Sequence, residues 1–200
     1  MTQETRTNKY VDAVEVIHRD RGDAIAVTTM TQTPHWNRIS SRPDLDIGIA
    51  NAMSKASSVG LGIALGAPDR RVLVMDGDGS LLMNMGSLVT IATQAPENFY
   101  HFLFQNDVYA VTGGQPVPGV SRVDFVEVAK GSGYRDAFTF DDIETLASEL
   151  PGIFSEPGPV LIVIKSETQL PDVPPEQTWE SNARMPASFR SIRKDVAPGL

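Results

Sequence analysis

The stretch Arg71–Gln115 reads RVLVMDGDGSLLMNMGSLVTIATQAPENFYHFLFQNDVYAVTGGQ, and its layout decides the fold. Val72 to Met75 is an apolar run that stops at Asp76-Gly77-Asp78-Gly79-Ser80, the pattern of a buried strand entering a tight turn. Leu82, Met85, Leu88, Val89 and Ala92 recur at helical spacing, so Leu81 to Ala95 is expected to form one amphipathic helix. A second apolar run, Phe99 to Phe104, ends in Gln105-Asn106-Asp107. Two strands therefore flank one helix, and each strand finishes in oxygen-bearing side chains. In a parallel sheet those carboxyl ends lie side by side, where open α/β sheets bind their ligands.

Asp78 offers a carboxylate and Asn106 an amide oxygen, on neighbouring strand ends. Hard oxygen donors suit Mg²⁺ or Ca²⁺, and Mg²⁺ keeps few protein ligands, taking the rest from phosphates and water. Gly77 and Gly79 let the backbone turn sharply and approach a ligand closely. Ser80 stands where the next helix is expected to begin, so its hydroxyl and the local N–H groups would face an anion. Together these residues describe a Mg²⁺–diphosphate site.

The same residues resemble the diphosphate-binding motif of thiamine-diphosphate enzymes, G-D-G followed further along by N-N or a variant. Here the motif is Gly77-Asp78-Gly79-Ser80 and then Gln105-Asn106. The wording is similar to the sulfopyruvate decarboxylase beta chain and to the carboxyl-terminal half of phosphonopyruvate decarboxylase. They share G-D-G-S-x-L-M-N-x-G-S-L-x-T-I and a downstream N-x-x-Y-x-x-T-G, here Asn106 to Gly113. The resemblance runs from roughly Ala24 to Lys165 and is far more specific than a lone G-D-G. It implies thiamine diphosphate and Mg²⁺ as cofactors, with Asp78, Asn106 and the Val108 carbonyl as metal ligands. It implies further cofactor contacts from Asn51, Met53, Gly77, Gly79, Ser80 and Tyr109, and from Thr31 and Thr33 in a polar loop beside them. Asn51 stands where the family prefers glycine.

The resemblance also implies a carbon–carbon lyase, a decarboxylase of 2-oxo acids. In the family a glutamate activates the aminopyrimidine from a separate pyrimidine-binding domain. No glutamate here has a comparable strand-end setting, so no catalytic residue is assigned to this chain. A partner subunit of similar size, forming a hetero-oligomer, is expected to supply that glutamate. Carboligases and 2-oxo acid oxidoreductases are other thiamine-enzyme classes. The latter often wire the cofactor to iron–sulfur clusters through cysteines, which this chain lacks.

Composition sets outer bounds. With 200 residues, 41% of them hydrophobic and 21% charged, one sizeable core is expected. Net charge of −8 and the want of a basic patch argue against nucleic acid and anionic membranes. No apolar run approaches the roughly 20 residues that span a bilayer, the polar start carries no secretory pattern, and there is no cysteine, so a cytoplasmic protein is expected.

Outward from the centre, Thr7 to Arg19 is expected to be a helix, Ala24 to Thr29 a buried strand and Thr28 to Trp36 a polar loop at the ligand end. Pro43 to Ile49 reads as irregular. Asn51 to Gly66 carries Ala56, Ser57, Gly60 and Gly62, small residues that let a helix pack closely. Downstream, a helix near Asp124–Gly131, a strand Asp136–Phe140, a helix Ile143–Leu150 capped by Asp141-Asp142, and a buried strand Val160–Ile164 complete an alternating pattern. The expected fold is a three-layer, doubly wound α/β fold, its mostly parallel sheet covered by helices on both faces. It should span residues 1–165, with a Pro-containing tail over 166–200 and one short helix near Phe189–Asp195.

A rival of another class is the haloacid-dehalogenase phosphatase motif D-x-D-G-[TS], with Asp76 as nucleophile and Asp78 as general acid/base. Against it, a full helix–strand–helix precedes the motif, and the later acidic pair that completes that metal site is missing. An EF-hand also fails, because Ser87 stands where the loop's closing bidentate Glu is required. His35 is the histidine best placed to touch a substrate, and His101 reads as a core residue.

Overall fold

A computed structural model describes residues 9–168 and 186–194. It alternates helix and strand: α1 (Tyr10–Arg19), β1 (Ile25–Thr29), α2 (Gln32–Ile39), β2 (Asp46–Ile49), α3 (Ala56–Gly66), β3 (Val72–Gly77), α4 (Asp78–Leu82), α5 (Gly86–Gln94) and β4 (Phe99–Gln105). There follow β5 (Val108–Tyr109), β6 (Gln115–Pro116), α6 (Phe125–Ser132), β7 (Asp136–Phe140), α7 (Ile143–Ile153) and β8 (Val160–Lys165). Six strands form one sheet in the order β2-β1-β3-β4-β8-β7, every pairing parallel. β5 and β6 make a separate antiparallel ribbon.

Parallel pairing buries both sheet faces, which is why the strands read as continuous apolar runs. Side chains alternate across them. Leu73, Met75, Phe102 and Ile162 enter a core with Val14 and Ile17 of α1, Trp36 of α2 and Leu146 and Leu150 of α7. Val72, Val74, Leu103 and Leu161 enter the opposite core with Leu61 of α3, Leu88 and Ile91 of α5, and Ala129 of α6. The expected doubly wound architecture is thus the observed one.

Three local expectations are corrected. The segment expected to be a loop up to Trp36 is instead largely α2. Pro34 lies in its first turn, where a missing N–H breaks no intrahelical bond, and fully buried Trp36 anchors it. The segment read as irregular contains β2, one of the sheet's two edge strands. Asp46 makes it look unlike a strand, but Arg21 meets Asp46 at 2.9 Å with both residues buried, and the guanidinium lies 4.9 Å from the Trp36 ring centroid. Finally, the single helix Leu81–Ala95 is two, broken between Leu82 and Gly86. The Asn84 side chain there donates to the Ser54 carbonyl at 3.2 Å.

α1 starts at Tyr10, and Thr7 and Asn8 of the expected helix lie outside the described residues. A helix over 186–194 corresponds to the one expected near the end of the chain and buries Ile192 against the α3/α5/α6 core. Asp195 and residues 169–185 of the expected tail are outside the described set.

Within α3, Gly60 lies against the sheet, and a Cβ there would run into the Val74 side chain. Gly62, on the exposed side, would meet nothing within 4 Å. Gly60→Ala should therefore cost roughly 1–3 kcal/mol by overpacking. Gly62→Ala should gain about 0.5–1 kcal/mol by removing a helical glycine. Urea denaturation of the two variants checks the opposite signs.

Candidate functional site

Strand order places the site. The chain moves from β1 outward to β2, then returns to lay β3 on the other side of β1. Such a reversal opens a crevice at the carboxyl ends of the two inner strands. A cleft lies there, lined from β1 by Thr29, Met30, Thr31 and Gln32, and from β3 by Gly77, Asp78, Gly79 and Ser80. Its far wall comes from β4 and the ribbon after it: Phe104, Asn106, Val108, Tyr109 and Thr112. Met53 closes the side next to α3.

Asp78 is nearly inaccessible, and its carboxylate is held from two directions. Oδ1 accepts the Gly79 N–H at 2.7 Å, and Oδ2 accepts the Asp107 N–H at 2.7 Å. The second bond crosses from the end of β3 to the turn after β4. Asn106 Oδ1 accepts the Val108 N–H at 3.2 Å, so this side chain too is set by its own turn. Asp107 takes φ 65°, and the Gln105 amide donates to its carboxylate at 3.1 Å. Tyr109 folds back over Gly79, where a Cβ would run into the ring.

Of the five non-glycine residues with positive φ among the described residues, four stand at this end of the sheet; the fifth, Ala95, ends α5. Met30 (46°) follows β1, Asn51 (53°) follows β2, Ser54 (70°) precedes α3 and Asp107 follows β4. Each such residue costs of order 1 kcal/mol and is retained where neighbours over-determine it. Ser54 shows how: its N–H donates to Ser80 Oγ at 2.8 Å, and its carbonyl accepts from Asn84. Ser80 is the third residue of α4 rather than the residue ahead of a helix, and its hydroxyl oxygen serves this tether.

Most residues singled out from the sequence meet at the cleft: Thr31, Met53, Gly77, Asp78, Gly79, Ser80, Asn106, Val108 and Tyr109. Thr33 does not join them. It lies one helical step past Gln32, turned inward with its hydroxyl 3.0 Å from Thr28 Oγ1. Asn51 is exposed and outside the lining. His35 faces Glu15 at 3.3 Å and Arg38 at 3.3 Å rather than the cleft. Met30, Phe104 and Ser54 escaped the sequence, because only the strand order and the Ser80 tether reveal them.

Asp76 is fully buried below the cleft and does not line it, so it is out of reach of a phosphate ester and the phosphatase motif has no accessible nucleophile. Among the described residues no group of three His, Cys, Asp or Glu side chains gathers for a metal. One carboxylate and one amide oxygen lining the same cleft suit a hard cation that completes its shell with phosphate oxygens and water. Neither Lys nor Arg is among the lining residues.

Residues 25–164 match the thiamine pyrophosphate enzyme, C-terminal TPP binding domain. The chain belongs to the thiamine pyrophosphate enzyme family. It is 44% identical over 139 residues to a phosphonopyruvate decarboxylase of Streptomyces hygroscopicus, covering 70% of this chain and 34% of that protein. It is 38% identical over 115 residues to a sulfopyruvate decarboxylase subunit beta of Methanocaldococcus jannaschii, covering 58% and 60%. The chain thus spans about a third of the first relative's length. The benzoylformate decarboxylase of Polynucleobacter necessarius shares the fold, with TM-score 0.69 and 20% identity over 86% of this chain and 36% of that one. This TPP-binding domain therefore takes thiamine diphosphate as its cofactor, and the oxygen donors around Asp78 fit the Mg²⁺ that usually accompanies it.

The Gly79–Tyr109 contact is testable apart from any ligand. Gly79→Ala should cost roughly 1–3 kcal/mol in denaturant unfolding, because the ring must shift. In Gly79→Ala/Tyr109→Ala the two losses should be less than additive, a coupling that a double-mutant cycle reads directly.

Proposed function

We propose that this chain is the diphosphate- and metal-binding part of a thiamine-diphosphate-dependent 2-oxo acid decarboxylase. The observation that carries the proposal is the Asp78 carboxylate, locked between the Gly79 and Asp107 N–H groups at the mouth of the cleft. In this proposal Asp78, Asn106 and the Val108 carbonyl hold Mg²⁺. Gly77, Gly79 and Ser80 border the diphosphate, Tyr109 and Thr31 flank it, and Met53 supports the organic part of the cofactor. With no Lys or Arg in the lining, the metal and backbone N–H groups must meet the diphosphate charge.

Bound thiamine diphosphate supplies a thiazolium carbon that adds to a ketone and takes up the electrons left by departing CO₂. The chain's own part is to bind, orient and exclude water. Met30, Phe104, Val108 and Val111 give the cleft an apolar wall suited to that. No glutamate lines the cleft among the described residues, so the group that activates the aminopyrimidine belongs elsewhere. We place it on a pyrimidine-binding partner of similar size in a hetero-oligomer. The name of the Methanocaldococcus relative, a subunit beta, supports that arrangement. The cysteine-free, acidic composition supports a cytoplasmic setting, and no helix among the described residues is long and apolar enough to cross a membrane.

Asp78→Ala should weaken Mg²⁺-dependent binding of thiamine diphosphate by roughly 100-fold or more, since the charge facing the metal is removed. Titration calorimetry on protein shown to be folded by circular dichroism checks this. Wild-type affinity in the folded variant would remove Asp78 from the metal site.

A further inference from the structure

Below the cleft floor, three polar side chains are buried in the core between the sheet and α5/α6. Asp76 and His101 are wholly inaccessible and Tyr134 nearly so. Their neighbours on that face are Val74, Phe99, Leu103 and Leu161, an environment in which an apolar residue would pack at less cost. Asp76 Oδ1 accepts the N–H of Gly77 at 2.9 Å, the residue just before Asp78. Oδ2 faces His101 Nε2 across 3.7 Å. His101 Nδ1 lies 3.4 Å from the Tyr134 hydroxyl.

Burial, and secondarily the Asp76 carboxylate, hold the Tyr134 hydroxyl protonated far above the usual range. A protonated tyrosine hydroxyl can donate to a ring nitrogen, and the Tyr134 hydroxyl is the polar group beside His101 Nδ1. The trio thus runs from the turn before β7, through β4, to the last peptide of β3. Buried polar groups in an apolar layer call for a reason, and this chain ends on the backbone of the metal-binding turn.

We propose that Asp76 is a positioning residue for cofactor binding: braced by His101 and Tyr134, it orients the Gly77 peptide so that Asp78 presents its carboxylate to the cleft. The proposal rests on the metal–diphosphate site described above. Asp76 touches neither metal nor cofactor and acts through Gly77 and Asp78.

The test uses the full chain in whatever complex it forms in its native cell, stripped with chelator and titrated with thiamine diphosphate and Mg²⁺ by calorimetry. Asp76→Val leaves the Gly77 N–H without its acceptor and the buried His101 ring without its facing carboxylate, so it should melt below wild type. Its affinity should also fall at least about tenfold, because the Gly77 N–H loses its acceptor. Asp76→Asn keeps an acceptor oxygen and should bind within about threefold of wild type. Leu146→Ala, a cavity in the opposite core, should lower the melting temperature without moving the affinity. Wild-type affinity in Asp76→Val, or a tenfold loss shared by Asp76→Asn, overturns the assignment. Should Asp76→Val not fold, His101→Phe replaces it: weaker binding than Leu146→Ala shows, at a comparable loss of melting temperature, supports the brace, and binding no weaker than in Leu146→Ala overturns it. A wild-type complex that takes up no thiamine diphosphate would instead defeat the metal–diphosphate site itself.

Discussion

The Asp78 carboxylate is the constraint on which the rest of this structure depends. One oxygen is tied to the helix it starts, through Gly79, and the other to the next strand's turn, through Asp107. A buried carboxylate is costly unless charge-assisted hydrogen bonds compensate it, and two short backbone bonds provide that compensation. They also make the distance between two strand ends part of the site. Asn106 and Val108 come into place because Asp107 must reach Asp78, and Asp107 accepts a left-handed backbone to do so.

The sheet makes this possible and the strain shows what it costs. Parallel strands buried on both faces form a rigid layer, so the loops leaving their carboxyl ends can be held in unfavourable geometry. Met30, Asn51, Ser54 and Asp107 all stand at that end, around the point where the strand order reverses. Ser80 Oγ accepts the Ser54 N–H, so a residue lining the cleft also holds one of its strained turns.

The centre of the fold and most of the cleft lining were legible in the amino-acid order because they come from contiguous patterns. Val72–Met75 and Phe99–Phe104 are unbroken apolar runs that stop in oxygen-rich turns, and parallel pairing alone brings those turns together. What was hidden depended on distant partners. Asp46 sits in a strand only because Arg21, remote in sequence, neutralises it. Asn84 breaks a helix whose apolar spacing runs on unchanged, because its amide is engaged by Ser54. Thr31 and Thr33 were indistinguishable until the segment proved helical, which leaves Thr31 in the cleft lining and turns Thr33 toward Thr28. His101 read as a core histidine and is one, but its alignment with Asp76 emerges only from the strand register.

The central claim is that this chain holds thiamine diphosphate through a metal bridged to Asp78. Its most direct test is to isolate the full chain gently from its native cell and assay bound cofactor as fluorescent thiochrome, before and after exhaustive chelation. The account predicts cofactor in stoichiometric amount before chelation, its loss afterwards, and its return on adding Mg²⁺. Cofactor that survives chelation, or a preparation that holds none and takes up none with Mg²⁺, would contradict it.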